Sequence, residues 1–167
     1  MNAVDSLVRS QNGALEMMKM TLGDFTEAEM LTRPCPGANH PLWQVGHLCV
    51  AETHIINTVK PGAMPELPAG FADKFANNAS RKTNHVDDPK QLATKQQVVD
   101  LFIKTHQAAM AFTKTLSEAD LDKPAPESFR KFFPTVGDLM SLQATHVMMH
   151  LGQIQVARRK LNKPILF

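Results

Sequence analysis

Four stretches of about twenty residues carry apolar side chains at the period of a helix, and prolines and glycines separate them. In residues 3–22, Val4, Val8, Leu15, Met18 and Leu22 recur at steps of three, four or seven, so a helix would gather them on one side. The stretch TRPCPGANHP (residues 32–41) then leads to a second helix, with Asn39 or His40 as cap and Pro41 in the first turn. That helix runs to about Val59, where Pro61-Gly62 stops it. Asp88-Pro89 repeats the cap-plus-proline signal and opens a third helix that ends near Leu116, with Leu92, Val99, Phe102, Ile103, His106, Met110 and Thr113 on one face. Thr135-Val-Gly-Asp138 is a capping box with Asp in place of Glu, and the fourth helix continues from it to about Leu161.

Between these helices, residues 61–87 read as a long loop with room for one helical turn around FADKFA, and SEADLDKPAPESFRKFFP reads as a second irregular crossover. No segment alternates convincingly as a strand. The expected fold is therefore all-α, a four-helix bundle with long crossover loops, formed by residues 1–167 as a single domain. A structureless connection as long as residues 61–87 is uncommon in a compact domain and is usually functional or disordered.

Composition narrows the partners. The net charge is only +2 and aromatic residues make up 6% of the chain, which argues against a basic groove lined by stacking rings, so nucleic acid is not an expected ligand. The apolar runs fall far short of the roughly 20 residues a membrane helix needs. The amino-terminal residues meet Asp5, Arg9 and Gln11 too early for a secretory signal, and two cysteines, Cys35 and Cys49, make no disulfide framework. A reducing cytoplasm is the expected setting.

His146 and His150 stand four apart in THVMMHLGQIQV (residues 145–156). On a helix they differ by about 40° in direction and about 6 Å in height, close enough to hold one ion. Leu139, Leu142, Gln143, Met149, Gln153 and Ala157 share their stripe, so the pair should face the bundle core. Buried imidazoles need partners, which either a metal or a glutamine and a backbone carbonyl could supply. Val147 follows His146, so this is not the HExxH arrangement with its helix-borne general base. In the second helix His40, Trp43, His47, Ala51 and His54 fall within an arc of about 80°. His47 can face the same layer as the pair, whereas His54 lies about 10.5 Å further along, as a pocket wall or an ordinary semi-buried histidine.

NHPLWQVGHL together with THVMMHLGQIQVARRKL resembles the DinB-like (YfiT-like) family of candidate metalloenzymes. The match falls on His47 within Gly46-His47-Leu48, and on His146, His150, Gly152, Gln153 and Ile154; FTEAEMLTRPCPG resembles the family's first inter-helix loop. The resemblance implies a four-helix bundle, a divalent metal held by His47, His146 and His150, and frequent pairing into homodimers. It also implies a small-molecule substrate, a low-molecular-weight thiol among the candidates.

Three imidazoles with an open fourth position are the usual makeup of a catalytic rather than a structural site; they suit zinc, nickel, copper or iron, and zinc or nickel is the expected ion. Such an ion would activate a thiol or water, and by resemblance the enzyme would be a thiol S-transferase or a hydrolase. The alternative is a non-catalytic stress or interaction module in which the ion clamps two helices. His54, His106, Gln143 and Gln153 are candidates for the pocket or for bonding the ligand rings, and a fourth ligand from His54 or His106 would favour the clamp. Cys49 should point away from the metal, and Arg158, Arg159, Lys160 and Lys163 form a basic end on the last helix.

Overall fold

The computed structural model describes residues 1–76 and 92–167. Its long helices are α1 (Ala3–Leu22), α2 (Pro41–Val59), α4 (Lys95–Lys114) and α7 (Val136–Lys160); the short helices α3 (Phe71–Phe75), α5 (Glu118–Leu121) and α6 (Glu127–Arg130) lie in the connections. A 3-10 turn at Glu29–Leu31 precedes α2. There is no strand among the described residues, only one isolated bridge between Pro124 and Thr135.

The expected helix starts hold for α2 and α7. His40 caps α2, its ring nitrogen accepting from the Trp43 amide at 3.1 Å, and Pro41 takes the first position. Thr135 and Asp138 form a reciprocal capping box at α7. The third long helix differs: its cap is Thr94, whose side chain accepts from the Gln97 amide while the Gln97 side chain accepts from the Thr94 amide. Leu92 lies before that cap, and Asp88-Pro89 lies outside the described residues. The turn at FADKFA is present as α3, and residues 117–134 hold α5 and α6 rather than an irregular run.

α1 packs against α7 and α4, and α2 packs against α4 and α7, so α1 faces α2 across one diagonal of the bundle. Hydrogen bonds fix the directions. Gln11 bonds the Met140 carbonyl, and Gln155 and Arg158 bond Thr21, so α1 and α7 run parallel. Gln11 meets His106 and Thr113 while Phe25 meets Lys95, so α4 runs opposite to α1. Gln44 and His47 meet the far part of α7 while Ile56 clusters with Leu139, so α2 opposes α7. The order is up, down, down, up.

That order explains a long connection. α2 and α4 are parallel neighbours, so the chain must travel back about 28 Å, the length of α2 at 1.5 Å per residue, before α4 can begin. The described part does so as a strap along α2: the Met64 amide donates to the Asn57 side chain at 3.1 Å, and Phe75 reaches Gly46 at the other end.

Two apolar clusters fill the interior, one around Met18, Leu48, Phe75, Phe102 and Ile154, the other around Ile56, Ala109, Leu139 and Met140. Between them lies a buried polar layer. The Gln11 carbonyl can only accept, so His106 Nε2 carries a proton (2.9 Å), and Nδ1 shares a second proton with Glu52 at 2.5 Å. Burial raises the carboxyl pKa of Glu52, while the carboxylate partner raises that of His106 against the effect of burial.

Candidate metal centre

α7 is buried along Leu139, Gln143, Val147, His150, Ile154 and Ala157, against α1 and α2. This face is turned by a fraction of a residue step from the expected stripe: Met149 and Gln153 are exposed, His146 and Leu142 half-buried. His150 therefore comes from the buried face, and His146, one turn earlier, from its edge. On α2, His47 is half-buried and stacks its ring on Trp43, centroids 4.9 Å apart and planes within 7°. The three rings converge: His146 and His150 approach through Nε2 at 3.1 Å, and one nitrogen from each of His47, His146 and His150 lies within 4.8 Å of the others. A tetrahedral ion with bonds of about 2.1 Å separates its nitrogens by about 3.4 Å, close to the spacing of the α7 pair.

The outer nitrogens of two rings are already engaged. His47 Nδ1 donates to the Phe75 carbonyl at 3.1 Å, which leaves Nε2 unprotonated. Gly46 makes that contact feasible, because a Cβ there would lie 2.4 Å from the Phe75 ring. The Gln44 amide nitrogen donates to the Asn39 carbonyl at 2.7 Å, which turns its oxygen toward His150. His150 Nδ1 donates to that oxygen at 3.1 Å and again leaves Nε2 free. Carbonyl partners of this kind set the tautomer and aim of ligand imidazoles.

No carboxylate joins the group among the described residues. Burial, with the charge of His47 as a lesser cause, lowers the His146 pKa to about 4; burial, with the charges of His146 and His47, lowers that of His150 to about 3. The His47 pKa is lowered by burial against the Phe75 bond, so all three rings are neutral near pH 7 and keep their lone pairs. The donor set fits a divalent borderline metal.

The other candidates are placed elsewhere. His106 is fully engaged by Glu52 and Gln11. Gln143 donates back to the Leu139 carbonyl at 2.8 Å, and its buried oxygen has no partner among the described residues. His54 packs its ring 5.8 Å from that of Phe129 and is not one of the residues whose nitrogens converge. Gln153 alone stays near the centre, with a side-chain bond that acts to raise the His150 pKa. Cys49 is buried and donates to the Val45 carbonyl, and burial pushes its thiol pKa far up, as a core residue. Gln44 and Phe75 were not legible as supports. A glutamine in an apolar helix one turn before His47 is the one sequence signal that pointed to the first; nothing in the sequence announces a main-chain carbonyl.

The DinB superfamily pattern matches residues 12–154, which include all three histidines. The chain belongs to the DinB superfamily. This DinB-superfamily chain also resembles two solved structures. YfiT from Bacillus subtilis is 16% identical with a TM-score of 0.64, over 96% of this chain and 89% of that one. It is described as a probable metal-dependent hydrolase with an unusual four-helix bundle topology. A conserved protein from Enterococcus faecalis is 19% identical with a TM-score of 0.71, over 98% of this chain and 99% of that one. No curated protein matches the chain. At these identities the two structures support the bundle fold alone.

Proposed function

We propose that this protein is a metal-dependent enzyme in which His47, His146 and His150 hold one divalent ion and leave a coordination position for water or a small-molecule thiol. The observation that carries the reading is the convergence of three neutral imidazoles, two of them aimed by carbonyl oxygens, with no fourth protein ligand among the described residues. A divalent ion bound there would supply the acidity that makes water or a thiol nucleophilic near neutral pH. The chain's own part is to keep the rings neutral by burial, to fix two tautomers through Phe75 and Gln44, and to pack Trp43 against one ring. Against the clamp alternative, neither His106, bonded to Glu52 and Gln11, nor His54 joins the cluster, so no fourth ligand is offered among the described residues.

Hydrolysis and thiol transfer remain two chemistries of one site. The description of YfiT supports hydrolysis, and the family resemblance supports thiol transfer onto an electrophile. Metal-loaded protein mixed with a panel of neutral esters, and separately with cellular thiols plus monochlorobimane, separates them. Acceleration in one panel that vanishes in His47→Ala assigns the reaction; no acceleration in either panel counts against an enzyme.

A further inference from the structure

A cleft of about 550 Å³ opens on the outer side of α2, between the strap and Phe129, and His47 forms part of its wall. Val50, Ala51, Ile55, Leu67, Ala72 and Ala76 give it apolar surface, and among the described residues no Lys, Arg, Asp or Glu lines it. Pockets of this size take small organic molecules, with a few polar groups setting orientation. The polar side chains of the cleft are His47, Thr53, His54 and Asn57. Thr58, Thr113 and Thr145 each donate their hydroxyl to the carbonyl four residues back, as helical threonines commonly do. Thr53 is only 9% exposed, and its Oγ1 has no hydrogen-bond partner among the described residues. A buried hydroxyl without a partner is unfavourable. Thr53 is among the residues that line the cleft, so an acceptor bound there would offer this hydroxyl the partner it lacks.

We infer that this cleft binds an uncharged, mainly apolar small molecule whose oxygen acceptor is held by the Thr53 hydroxyl, beside the histidine that faces the ion. The proposal rests on the metal reading for what happens to that molecule, and on the cleft alone for its binding. Among the described lining residues His47 and His54 are the only titratable groups, so an ion entering the cleft would shed water with no carboxylate, ammonium or guanidinium there to replace it.

Saturation-transfer NMR on the metal-loaded chain tests this with acetophenone, its acceptor-free counterpart ethylbenzene, and the anion benzenesulfonate. Acetophenone is expected to bind at least tenfold more tightly than benzenesulfonate and several-fold more tightly than ethylbenzene. Thr53→Val removes the difference between acetophenone and ethylbenzene while leaving ethylbenzene binding unchanged. Ala72→Trp, at an exposed position of the cleft wall, weakens both neutral probes at least tenfold with no change in melting temperature. Equal binding of benzenesulfonate, or neutral-probe binding unaffected by Ala72→Trp, overturns the assignment. His146→Ala separates the two readings: acetophenone binding should persist there, so a chain that holds no metal yet binds acetophenone retains the cleft and loses the metal centre.

Discussion

At the scale of single residues, Gly46 joins the strap to the metal centre. Because Gly46 has only hydrogen as its side chain, the Phe75 ring can lie on α2 and the Phe75 carbonyl can accept a hydrogen bond from His47 Nδ1–H. Gly46→Ala should displace Phe75 and lower metal affinity by about 10-fold or more, the scale of lost supports around ligand histidines. Gln44→Leu should lower it by about 10-fold by freeing His150 to change tautomer. A competition titration against a chromogenic chelator reads both; affinities equal to wild type would show that the carbonyl partners do not aim the rings. His47, His146 and His150 were legible because helical spacing and the Gly-His-Leu context are local signals. Phe75 and Gln44 were not, because their partners are 28 and 106 residues away and only the fold brings them near.

At the scale of elements, local chemistry explains which boundaries were readable. Thr135 and Asp138 bond each other's backbone within one turn, so the start of α7 could be read from four residues. Thr135→Ala should destabilise the protein by about 1 kcal/mol in denaturant unfolding, and Thr135→Ser should restore most of it. Equal stability of Thr135→Ala and wild type would mean that packing, not the cap, fixes that end. The third long helix misled because Asp88-Pro89 is a sound local signal, yet Thr94-Lys-Gln-Gln97 offers a complete reciprocal box six residues later. The buried face of α4 likewise includes Val98, Thr105, Ala109 and Phe112, with Val99, Ile103 and Met110 only half-buried, because contacts from both α1 and α2 set its rotation. Periodicity gives a face; neighbours choose its angle.

At the scale of the molecule, the up-down-down-up order needs ties between distant parts, and one is a buried arginine. Arg158 is 1% exposed and bonds the Thr21 carbonyl, the Asp24 carboxylate and the Pro164 carbonyl, joining α1 to the chain beyond α7. Part of the basic end foreseen on the last helix is thus an internal anchor. Arg158 holds the Asp24 pKa below its ordinary value, so this stabilisation is fully present above about pH 4 and is lost as pH falls through the lowered value. Asp24→Asn should cost about 1–3 kcal/mol at pH 7, discounted because the carboxylate is 46% exposed, and the gap to wild type should close as pH falls below 4. A gap independent of pH would place the effect outside this pair.

An ion shared by α2 and α7 would add a further tie, since metal that binds only the folded chain stabilises it by mass action. The number and order of the long helices were legible in the sequence, whereas their directions were not, because direction depends on crossovers that lack helical period. Elemental analysis of untagged protein, beside His47→Ala, His146→Ala and His150→Ala, measures the metal centre directly. The expected result is close to one divalent metal ion per wild-type chain and a sharp loss in each of the three variants. Less than about 0.2 per chain in wild type after loading and gel filtration, or content unchanged by all three substitutions, would contradict it.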